Sequence, residues 1–272
     1  MKTNYIITGG LGFIGKNLSN DLSSLNQSPI VLDLLTGCDL CKTEIILSNC
    51  DTLIHLAALT NVRSSILNPT ETFTQNCAST LNCLNYAKEH NVHFIFTSSM
   101  GAPASLSPYS ASKLACEALC TAYRESLGVK TTILRLSNVY GSHSLHKTSV
   151  IAKFIKNCID KQPLTIFGDG SQTRDFIHVD DVTRSIINCP DVSLINIASG
   201  TIISILHLAQ RIQGLSTKLL SFTPEIHFTD AIKGEINSVD SSTDIEPTVD
   251  LNDGLKNTFK WFIGNYNAKQ LG

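Results

Sequence analysis

Short apolar runs alternate with longer amphipathic segments along the first half of the chain. The apolar runs predict β-strands at Tyr5–Thr8, Ile30–Leu34, Thr52–Leu56, His93–Thr97 and Thr131–Leu136. The longer segments predict helices at Phe13–Asn26, Thr70–Glu89 and Tyr109–Leu127. Strands that alternate with helices in this way are typical of the α/β class and of a doubly wound parallel sheet. Strands buried on both faces should be continuously apolar, and residues 94–96 fit that expectation.

The pattern becomes less regular beyond Gly141. Residues 168–171 form a turn-like cluster, Ile195–Ile197 predicts one further strand, and residues 238–248 are polar. We therefore expect a sheet domain followed by a smaller, less regular α+β domain. The sheet domain would comprise residues 1–140, with 176–198 returning to it, and the smaller domain residues 141–175 and 199–272.

The composition indicates a globular protein without a strong charge bias. The chain has 272 residues, of which 42% are hydrophobic and 16% charged, and its formal net charge is −2. This balance gives no electrostatic reason to bind nucleic acid or an anionic membrane. No apolar run reaches the ~18 residues of a spanning helix, and the N-terminal apolar stretch is too short for a signal peptide. We expect a soluble, cytoplasmic protein.

The nine cysteines leave more than one interpretation open. Cys38 and Cys41 form a Cys-x-x-Cys pair, which suits a redox pair or half of a zinc site. A structural zinc site needs four ligands, and no second Cys-x-x-Cys or His-x-x-x-His follows. Dispersed cysteines are otherwise small and mostly buried thiols. We expect no metal site.

A glycine-rich segment joins the first predicted strand to the first helix. In Thr8-Gly-Gly-Leu-Gly-Phe-Ile-Gly15 the glycines allow a tight turn and a close approach of the backbone to a pyrophosphate. The following helix N-terminus would offer N–H groups and a favourable dipole to that anion. Lys16-Asn17 nearly completes a P-loop, but that motif needs Ser or Thr after the lysine to hold Mg²⁺. The segment therefore predicts a dinucleotide site.

Asp33 ends the second predicted strand, roughly 20 residues after the glycine-rich segment. A carboxylate there accepts hydrogen bonds from the adenosine ribose and repels a 2′-phosphate. No Arg or Lys lies between Asp33 and Cys41 to bind such a phosphate. The sequence thus favours NAD over NADP, although an acid at a turn also suits this position.

Tyr109 and Lys113 are spaced i, i+4 at the start of a predicted helix, which places them on one face. A nearby cation and a positively charged nicotinamide should lower the pKa of the Tyr109 phenol, so that it can act as a general base. Thr97-Ser98-Ser99 follows the preceding strand and should place a hydroxyl at the carboxyl edge of the sheet, where ligands of such folds bind.

These motifs together resemble the extended short-chain dehydrogenase/reductase superfamily, with its Rossmann-type sheet. Within it the chain is most similar to the nucleotide-sugar epimerases and their reductase and dehydratase relatives. The resemblance covers nearly the whole chain. It rests on the glycine segment Gly9–Gly15, His55-Leu-Ala-Ala58, Asn76, Ser98-Ser99, Tyr109-x-x-x-Lys113, the run from Arg135 through Asn138 to Gly141, and the run from Gly168 through Arg174 and His178 to Asp181.

The resemblance implies a role for each matching position of the sheet domain. The segment Gly9, Gly12, Phe13, Ile14 and Gly15 would hold the pyrophosphate. Asp33 would bind the adenosine ribose, and Asp39 and Leu40 would lie beside the adenine. Leu56, Ala57, Ala58 and Asn76 would line the cofactor cleft. Lys113 would bind the nicotinamide ribose, Tyr109 would be the base, and Ser99 would polarise the sugar oxygen.

The resemblance also implies substrate contacts in the second half of the chain. Asn138 would contact the phosphates of a nucleotide-diphosphate sugar, Arg174 would pair with its diphosphate, and Phe167 would lie near its base. Ordinary alternatives stay open, because Asn138 could cap a turn and Arg174 could pair with Asp175 or Asp180. Relatives often dimerise through the two helices that correspond to Thr70–Glu89 and Tyr109–Leu127, so a homodimer is expected.

The implied reaction is hydride transfer at a sugar carbon, and the first choice is a C4-epimerase with NAD as cofactor. The alternative is an NAD(P)H-dependent reductase of 4-keto sugars, and a third is a non-catalytic NAD-binding regulator. Dehydration is disfavoured because Met100-Gly101 follows Ser99, where the dehydratases have an acid pair. The chain also lacks a helix and strand between Asp33 and Asp39, and Ile232 stands where the epimerases usually have an arginine.

Overall fold

In the computed structural model, the described residues are 5–42, 45, 50–231 and 241–266. They group into two compact units, Met1–Leu136 with Val182–Ile197, and Ser137–Asp181 with Ala198–Gly272. Residues 138–140 and 176–181 fall in the second unit and not in the sheet domain, because the strand Asn138–Tyr140 pairs with Thr173–His178. Within the described residues, no helix combines the length and apolar character that crossing a membrane requires.

The first unit is built on a six-stranded sheet in the order β2-β1-β3-β4-β5-β9. All neighbouring strands are parallel, which confirms the predicted doubly wound α/β fold. The strands are β1 (Tyr5–Thr8), β2 (Ile30–Leu32), β3 (Thr52–His55), β4 (His93–Ser99), β5 (Thr131–Leu136) and β9 (Leu194–Ile197). The strand order reverses around β1, so a ligand crevice is expected at the carboxyl ends of β1 and β3.

The helices of the first unit are α1 (Phe13–Ser24), α2 (Val62–Leu67), α3 (Pro69–His90) and α4 (Pro108–Leu127), and α6 (Val179–Ile187) crosses the division between the units. Two of them, α2 and α4, begin at a side-chain cap. Ser107 forms a capping box with Ser110 before α4, and the Asn61 side chain caps α2. The apolar faces of α3 and α4 cover the sheet through a core of residues that includes Cys83, Leu84, Cys116 and Cys120.

Strand β2 is shorter than predicted and lies at the edge of the sheet. It ends at Leu32 because the Asp33 carboxylate caps a 3-10 turn over Leu34–Thr36 instead of continuing the ladder. Among the described strands, β2 pairs with β1 alone. The missing helix and strand noted in the sequence therefore shorten the sheet at this edge.

The second unit has a mixed architecture around its own core. A three-stranded sheet in the order β10-β8-β6 has β6 (Asn138–Tyr140) parallel and β10 (Ile202–Ser204) antiparallel to β8 (Thr173–His178). A second sheet pairs β7 (Leu164–Phe167) with β11 (Ile226–Thr229) in parallel. The helices are α5 (Val150–Ile159), α7 (Ile205–Leu220) and α8 (Leu251–Tyr266). Their apolar faces meet in a core that includes Phe154, Phe259 and Phe262.

Candidate active site

The loops after β1 and β3 touch at Gly9. Gly9 has a φ of +67°, and a Cβ atom built on it would lie 2.7 Å from the backbone nitrogen of Ala57. A Cβ on Gly15 would lie 2.5 Å from the carbonyl oxygen of Gly9. Only glycine fits at both positions, because any side chain would meet backbone atoms that cannot turn away.

Helix α1 begins without a side-chain cap. Gly12 is the N-cap residue, and the Lys16 N–H donates to its carbonyl oxygen at 3.0 Å. The first N–H groups of α1, from Phe13, Ile14 and Gly15, point along the helix dipole toward an anion site. Phe13 itself is buried, so its side chain anchors the helix while its backbone faces the site. This cradle fits the pyrophosphate of a dinucleotide.

The Asp33 carboxylate ties the glycine segment to the end of β2. Its Oδ2 accepts a hydrogen bond from the Leu11 N–H and its Oδ1 accepts one from the Leu35 N–H, both at 3.0 Å. A carboxylate offers about four acceptor positions, so lone pairs remain for ribose hydroxyls. Asp33 therefore acts as a turn acid and still fits the ribose role.

Asp39 and Leu40 have local contacts of their own. Asp39 pairs with Lys42 at 3.0 Å and accepts a hydrogen bond from the Cys41 N–H, and these contacts lower its pKa. The Leu40 side chain is buried in the core. The position implied for them beside the adenine stays a prediction.

The Asn76 side chain holds the loop that follows β3 in place. Its Oδ1 accepts from the Leu59 N–H at 2.8 Å, and its Nδ2 donates to the Leu59 carbonyl oxygen and to the Ser112 hydroxyl. Both amide hydrogens are thus used within the protein. Asn76 therefore positions the Leu56-Ala57-Ala58 segment and links α3 to α4.

His55, for which the sequence predicts no separate role, connects β1, β3 and α3 through hydrogen bonds. The Thr80 hydroxyl donates to the Asn76 carbonyl oxygen, so it accepts from His55 Nε2 at 3.2 Å, and Nδ1 accepts from the Thr8 hydroxyl at 2.7 Å. A neutral ring satisfies both bonds. Burial, with a smaller effect of Lys113, lowers the pKa of His55 to about 3. The sequence feature that could have singled out His55 is its position as the first residue of His-Leu-Ala-Ala.

Tyr109 and Lys113 lie in the first two turns of α4. Lys113 is 3% exposed, and its Nζ donates to the Thr97 carbonyl oxygen at 2.8 Å and lies 4.7 Å from the centre of the Phe96 ring. In the protein alone, burial raises the pKa of Tyr109 to about 12, and the lowered pKa predicted for the site with a positively charged nicotinamide stays a prediction. Sequence spacing shows the nearby cation but not the loss of water around the phenol.

Only one hydroxyl of the Thr97-Ser98-Ser99 run is left for a ligand. The Thr97 hydroxyl donates to the His55 carbonyl oxygen, and the Ser98 hydroxyl donates to Glu117 at 2.6 Å. Ser99, the last residue of β4, accepts from the Gly101 N–H at 3.2 Å. That contact leaves the hydroxyl hydrogen of Ser99 available at the carboxyl edge of the sheet.

An ion pair between the buried Glu117 and the half-buried Arg135, beside these residues, was not predicted. Arg135 binds Glu117 through two hydrogen bonds, from Nε to Oε1 at 2.9 Å and from Nη2 to Oε2 at 2.6 Å. Glu117 lies i+8 from Tyr109 and i+4 from Lys113, so it shares their face of α4. That spacing could have pointed to Glu117, but it gives no sign that Arg135 on β5 is the partner.

The second unit holds the predicted substrate residues on its two sheets. Asn138 is exposed on β6, and its Nδ2 donates to the Asp175 carbonyl oxygen at 2.9 Å. Arg174 on β8 is half-buried and its Nη1 donates to the Thr173 carbonyl oxygen at 2.7 Å. Phe167 ends β7, with Lys153 Nζ 5.5 Å from its ring centre. Ile232 lies outside the described residues.

All nine cysteines lie within the described residues and are free thiols. Four are buried and Cys41 is exposed. Within the described part of the chain, no group of three His, Cys, Asp or Glu side chains could hold a metal ion.

Comparison with known proteins finds relatives that act on nucleotide sugars. The chain is 30% identical to a putative UDP-glucose 4-epimerase of Methanocaldococcus jannaschii, over 96% of this chain and 98% of the relative. It is 27% identical to UDP-glucuronic acid decarboxylase 1 of Danio rerio, over 94% of this chain and 72% of the relative. The solved UDP-N-acetylglucosamine 4-epimerase of Methanobrevibacter ruminantium, in complex with UDP-N-acetylmuramic acid, superposes with a TM-score of 0.88 at 28% identity and covers 97% of this chain and 100% of that one.

The family assignment follows from the same sequence. The sequence model of the NAD dependent epimerase/dehydratase family matches residues 5–189, which include the glycine cradle, Ser99, Tyr109 and Lys113. Relatives and solved neighbours are enzymes, and the cofactor of this family is NAD. The chain therefore belongs to the NAD dependent epimerase/dehydratase family.

Proposed function

We propose that the protein is an NAD-dependent C4-epimerase of nucleotide-diphosphate sugars. The observation that carries the proposal is the arrangement at the carboxyl end of β4. There Ser99 presents a hydroxyl with its hydrogen available, and Tyr109 and Lys113 lie in the first turns of the next helix. The relatives named UDP-glucose 4-epimerase and UDP-N-acetylglucosamine 4-epimerase support this reaction.

The residues divide the chemistry among them. NAD, when bound, supplies the acceptor and later the donor of a hydride. Tyr109 takes the proton of the sugar 4-hydroxyl as the carbon loses its hydride, and returns it when the hydride comes back to the other face. The Ser99 hydroxyl donates a hydrogen bond to the 4-oxygen and holds it in place. Lys113, held by Thr97, provides a fixed positive charge beside the base.

The raised pKa of Tyr109, about 12 in the protein alone, defines what activation is required. The phenol is protonated at neutral pH until a further positive charge enters the site. A positively charged nicotinamide beside the phenol would lower its pKa again.

The second unit would bind the nucleotide diphosphate through Arg174 and Asn138, with Phe167 beside the base. Arg174 offers the planar fork that pairs with diphosphate oxygens, and Asn138 offers its amide from an exposed strand. We propose that residues 141–175 and 199–272 form this substrate domain. The relatives named for UDP-sugars support uridine diphosphate as the nucleotide part.

The second candidate is a reductase of 4-keto sugars. The observation that favours it is the shortened sheet edge, where a 3-10 turn at Leu34–Thr36 replaces a helix and a strand. Asp33 weighs against it, because a carboxylate at the ribose favours NAD, which suits an enzyme that recycles its cofactor.

We also propose that the protein is a homodimer formed through α3 and α4. These helices are joined by bonds from Asn76 to Ser112 and from Tyr123 to Asn85. They nevertheless present apolar side chains to solvent at Phe73, Leu81 and Leu114. Covering such side chains by a second copy would bury apolar area. Light scattering on the purified protein would give the mass directly.

The test of the function is the cofactor content followed by turnover. The protein is purified without added nucleotide and denatured, and the released compound is identified. Near-stoichiometric NAD, with interconversion of C4-epimers among UDP-glucose, UDP-N-acetylglucosamine or UDP-glucuronate, is the expected result. A protein that carries no NAD, converts none of these sugars and oxidises NADPH with a 4-keto sugar would be a reductase instead.

A further inference from the structure

The buried carboxylate of Glu117 lies one helical turn beyond Lys113 and is 4% exposed. It accepts three hydrogen bonds, one from the Ser98 hydroxyl at 2.6 Å and two from Arg135 at 2.9 and 2.6 Å. A bidentate pair with arginine is the strongest and most directional form that a carboxylate contact takes in proteins. The three residues come from α4, β4 and β5, so the cluster joins three separate elements.

These bonds fix the orientation of α4 against the sheet. Ser98 and Arg135 are direct neighbours in the register of β4 and β5. Lys113 binds Thr97 and Glu117 binds Ser98, so two successive turns of α4 are tied to two successive residues of β4. A helix held at two such points cannot rotate about its axis without breaking both contacts. These two contacts therefore fix the directions in which the Tyr109 and Lys113 side chains leave the helix.

We infer that Glu117 and Arg135 form a positioning pair for Lys113, in which Arg135 orients the Glu117 carboxylate and Glu117 fixes the helix that carries Lys113. The inference rests on the proposed function, because that function gives Lys113 its role. Ser98 completes the pair as the third hydrogen-bond donor to Glu117. Neither Glu117 nor Arg135 needs to touch the substrate for this purpose.

The charges around Lys113 favour this role. The titratable groups that face it are Cys116, Cys120 and Glu117 on α4, Cys77 on α3 and His55 on β3. Burial lowers the pKa of Lys113 to about 8, against the opposing effects of the three thiols and of Glu117. Burial raises the pKa of the Cys77 thiol to about 12. Glu117 is the carboxylate in this group, and it lies one helical turn from Lys113 on the same face of α4.

The decisive variant is Glu117→Gln, which keeps the size of the side chain and removes its charge. We expect kcat for epimerisation to fall about tenfold or more, with KM nearly unchanged, because the helix loses its fixed orientation. The alkaline limb of the pH profile should move to lower pH, because Glu117 no longer raises the pKa of Lys113. The ¹³Cε signal of Lys113 in lysine-labelled protein, assigned with Lys113→Met, should titrate at correspondingly lower pH.

Three further variants separate positioning from stability. At the far end of the helix, Arg124 ties α4 to β5 through Thr131 and to the loop before β9 through Asp191. Arg124→Gln should therefore lower thermal stability and leave kcat and the alkaline limb unchanged. The double variant Glu117→Gln/Arg135→Met removes both charges of the pair; it should regain thermal stability without regaining kcat. Ser98→Ala removes one hydrogen bond to Glu117, so it should shift the alkaline limb of the pH profile in the same direction but by a smaller amount. It replaces Glu117→Gln as the test if that variant does not fold.

The outcomes decide between the proposals. If wild-type protein epimerises UDP-sugars while Glu117→Gln or Ser98→Ala keeps kcat, the limb and the Lys113 titration, the positioning pair is refuted. If the double variant regains kcat together with stability, the pair is structural only and the inference is also overturned. If no UDP-sugar is turned over but the Lys113 titration still moves in Glu117→Gln, the proposed function fails and the coupling of Glu117 to Lys113 stands.

Discussion

Buried charged side chains have different roles in the two units of this protein. In the first unit, Lys113 and Glu117 are buried on one face of α4, beside the hydroxyls proposed for the reaction. In the second, Asp175 and Asp181 are fully buried, and hydroxyls and N–H groups of neighbouring loops satisfy them. Parallel strands and helices already fix the first unit, so its buried charges are available for function. The second unit lacks that regularity, and its buried carboxylates hold the loops together.

The contrast predicts where substitutions affect turnover and where they affect folding. Substitutions at the carboxyl edge of the first unit should change kcat and leave stability nearly intact. Substitutions of the two buried aspartates should destabilise the second unit. Contacts of the second unit with substrate should appear in KM.

The largest expected effect is on turnover in the first unit. Tyr109→Phe removes the hydroxyl that exchanges the proton, and kcat should fall by about 10³-fold, the usual size of a general-base contribution. The Tyr109 ring remains, so the NAD content and the unfolding midpoint should match wild type. Rates of UDP-sugar epimerisation, with NAD measured on the same sample, test this. A variant that keeps more than a tenth of the wild-type rate would remove Tyr109 from the mechanism.

The next effect is on the folding of the second unit. Asp181 accepts from the N–H and hydroxyl of Thr248 at 2.9 Å and from the Val249 N–H at 3.2 Å. Asp181→Asn sets an amide donor against these donors and should cost about 2–4 kcal/mol in the free energy of unfolding.

Urea unfolding and hydrogen exchange measure that cost and locate it. Faster exchange should be confined to residues 137–181 and 198–266, with the first unit protected as in wild type. Asp253→Asn, at the exposed start of α8, is the matched control and should change neither measurement. Equal loss of protection in both units would mean that Asp181 does not stabilise the second unit in particular.

The two units were not equally predictable from the sequence. The strands at Tyr5–Thr8 and Thr131–Leu136 and the glycine segment could be predicted because each depends on neighbours along the chain. The link from Asp181 to Thr248 could not, because 67 positions separate the partners and neither residue type is unusual. The Glu117–Arg135 pair was missed for the same reason. Desolvation is also absent from a linear pattern, so the rise that burial causes in the Tyr109 pKa could not be predicted from the sequence.

A smaller effect concerns acid sensitivity, which should originate in the first unit. The folded pKa of His55 is about 3, against about 6.5 when unfolded, so the unfolded chain binds the extra proton between these values. Stability from the neutral ring is complete above pH 6.5 and is lost as the pH falls toward 3. Between pH 7 and pH 5 the loss should be about 2 kcal/mol.

The measurement is urea unfolding at both pH values for wild type, His55→Gln and His207→Gln. His55→Gln should be less stable at pH 7 but should lose about 2 kcal/mol less on going to pH 5. His207 is exposed in the second unit, so His207→Gln should keep the wild-type pH dependence. If His207→Gln and His55→Gln show the same dependence, the acid sensitivity has another origin.

The smallest effect tests whether the second unit recognises substrate. Arg174→Lys keeps the positive charge and loses the planar fork, so KM for a UDP-sugar should rise about tenfold while kcat changes little. Arg211→Lys is the matched control in the same unit, since Arg211 binds Asn252 at 2.7 Å, and it should leave KM unchanged. A fall in kcat with constant KM would place Arg174 among the reacting groups and remove the division of labour between the units. Equal KM values for both variants and wild type would leave Arg174 as an ordinary strand residue, and the diphosphate would need another partner.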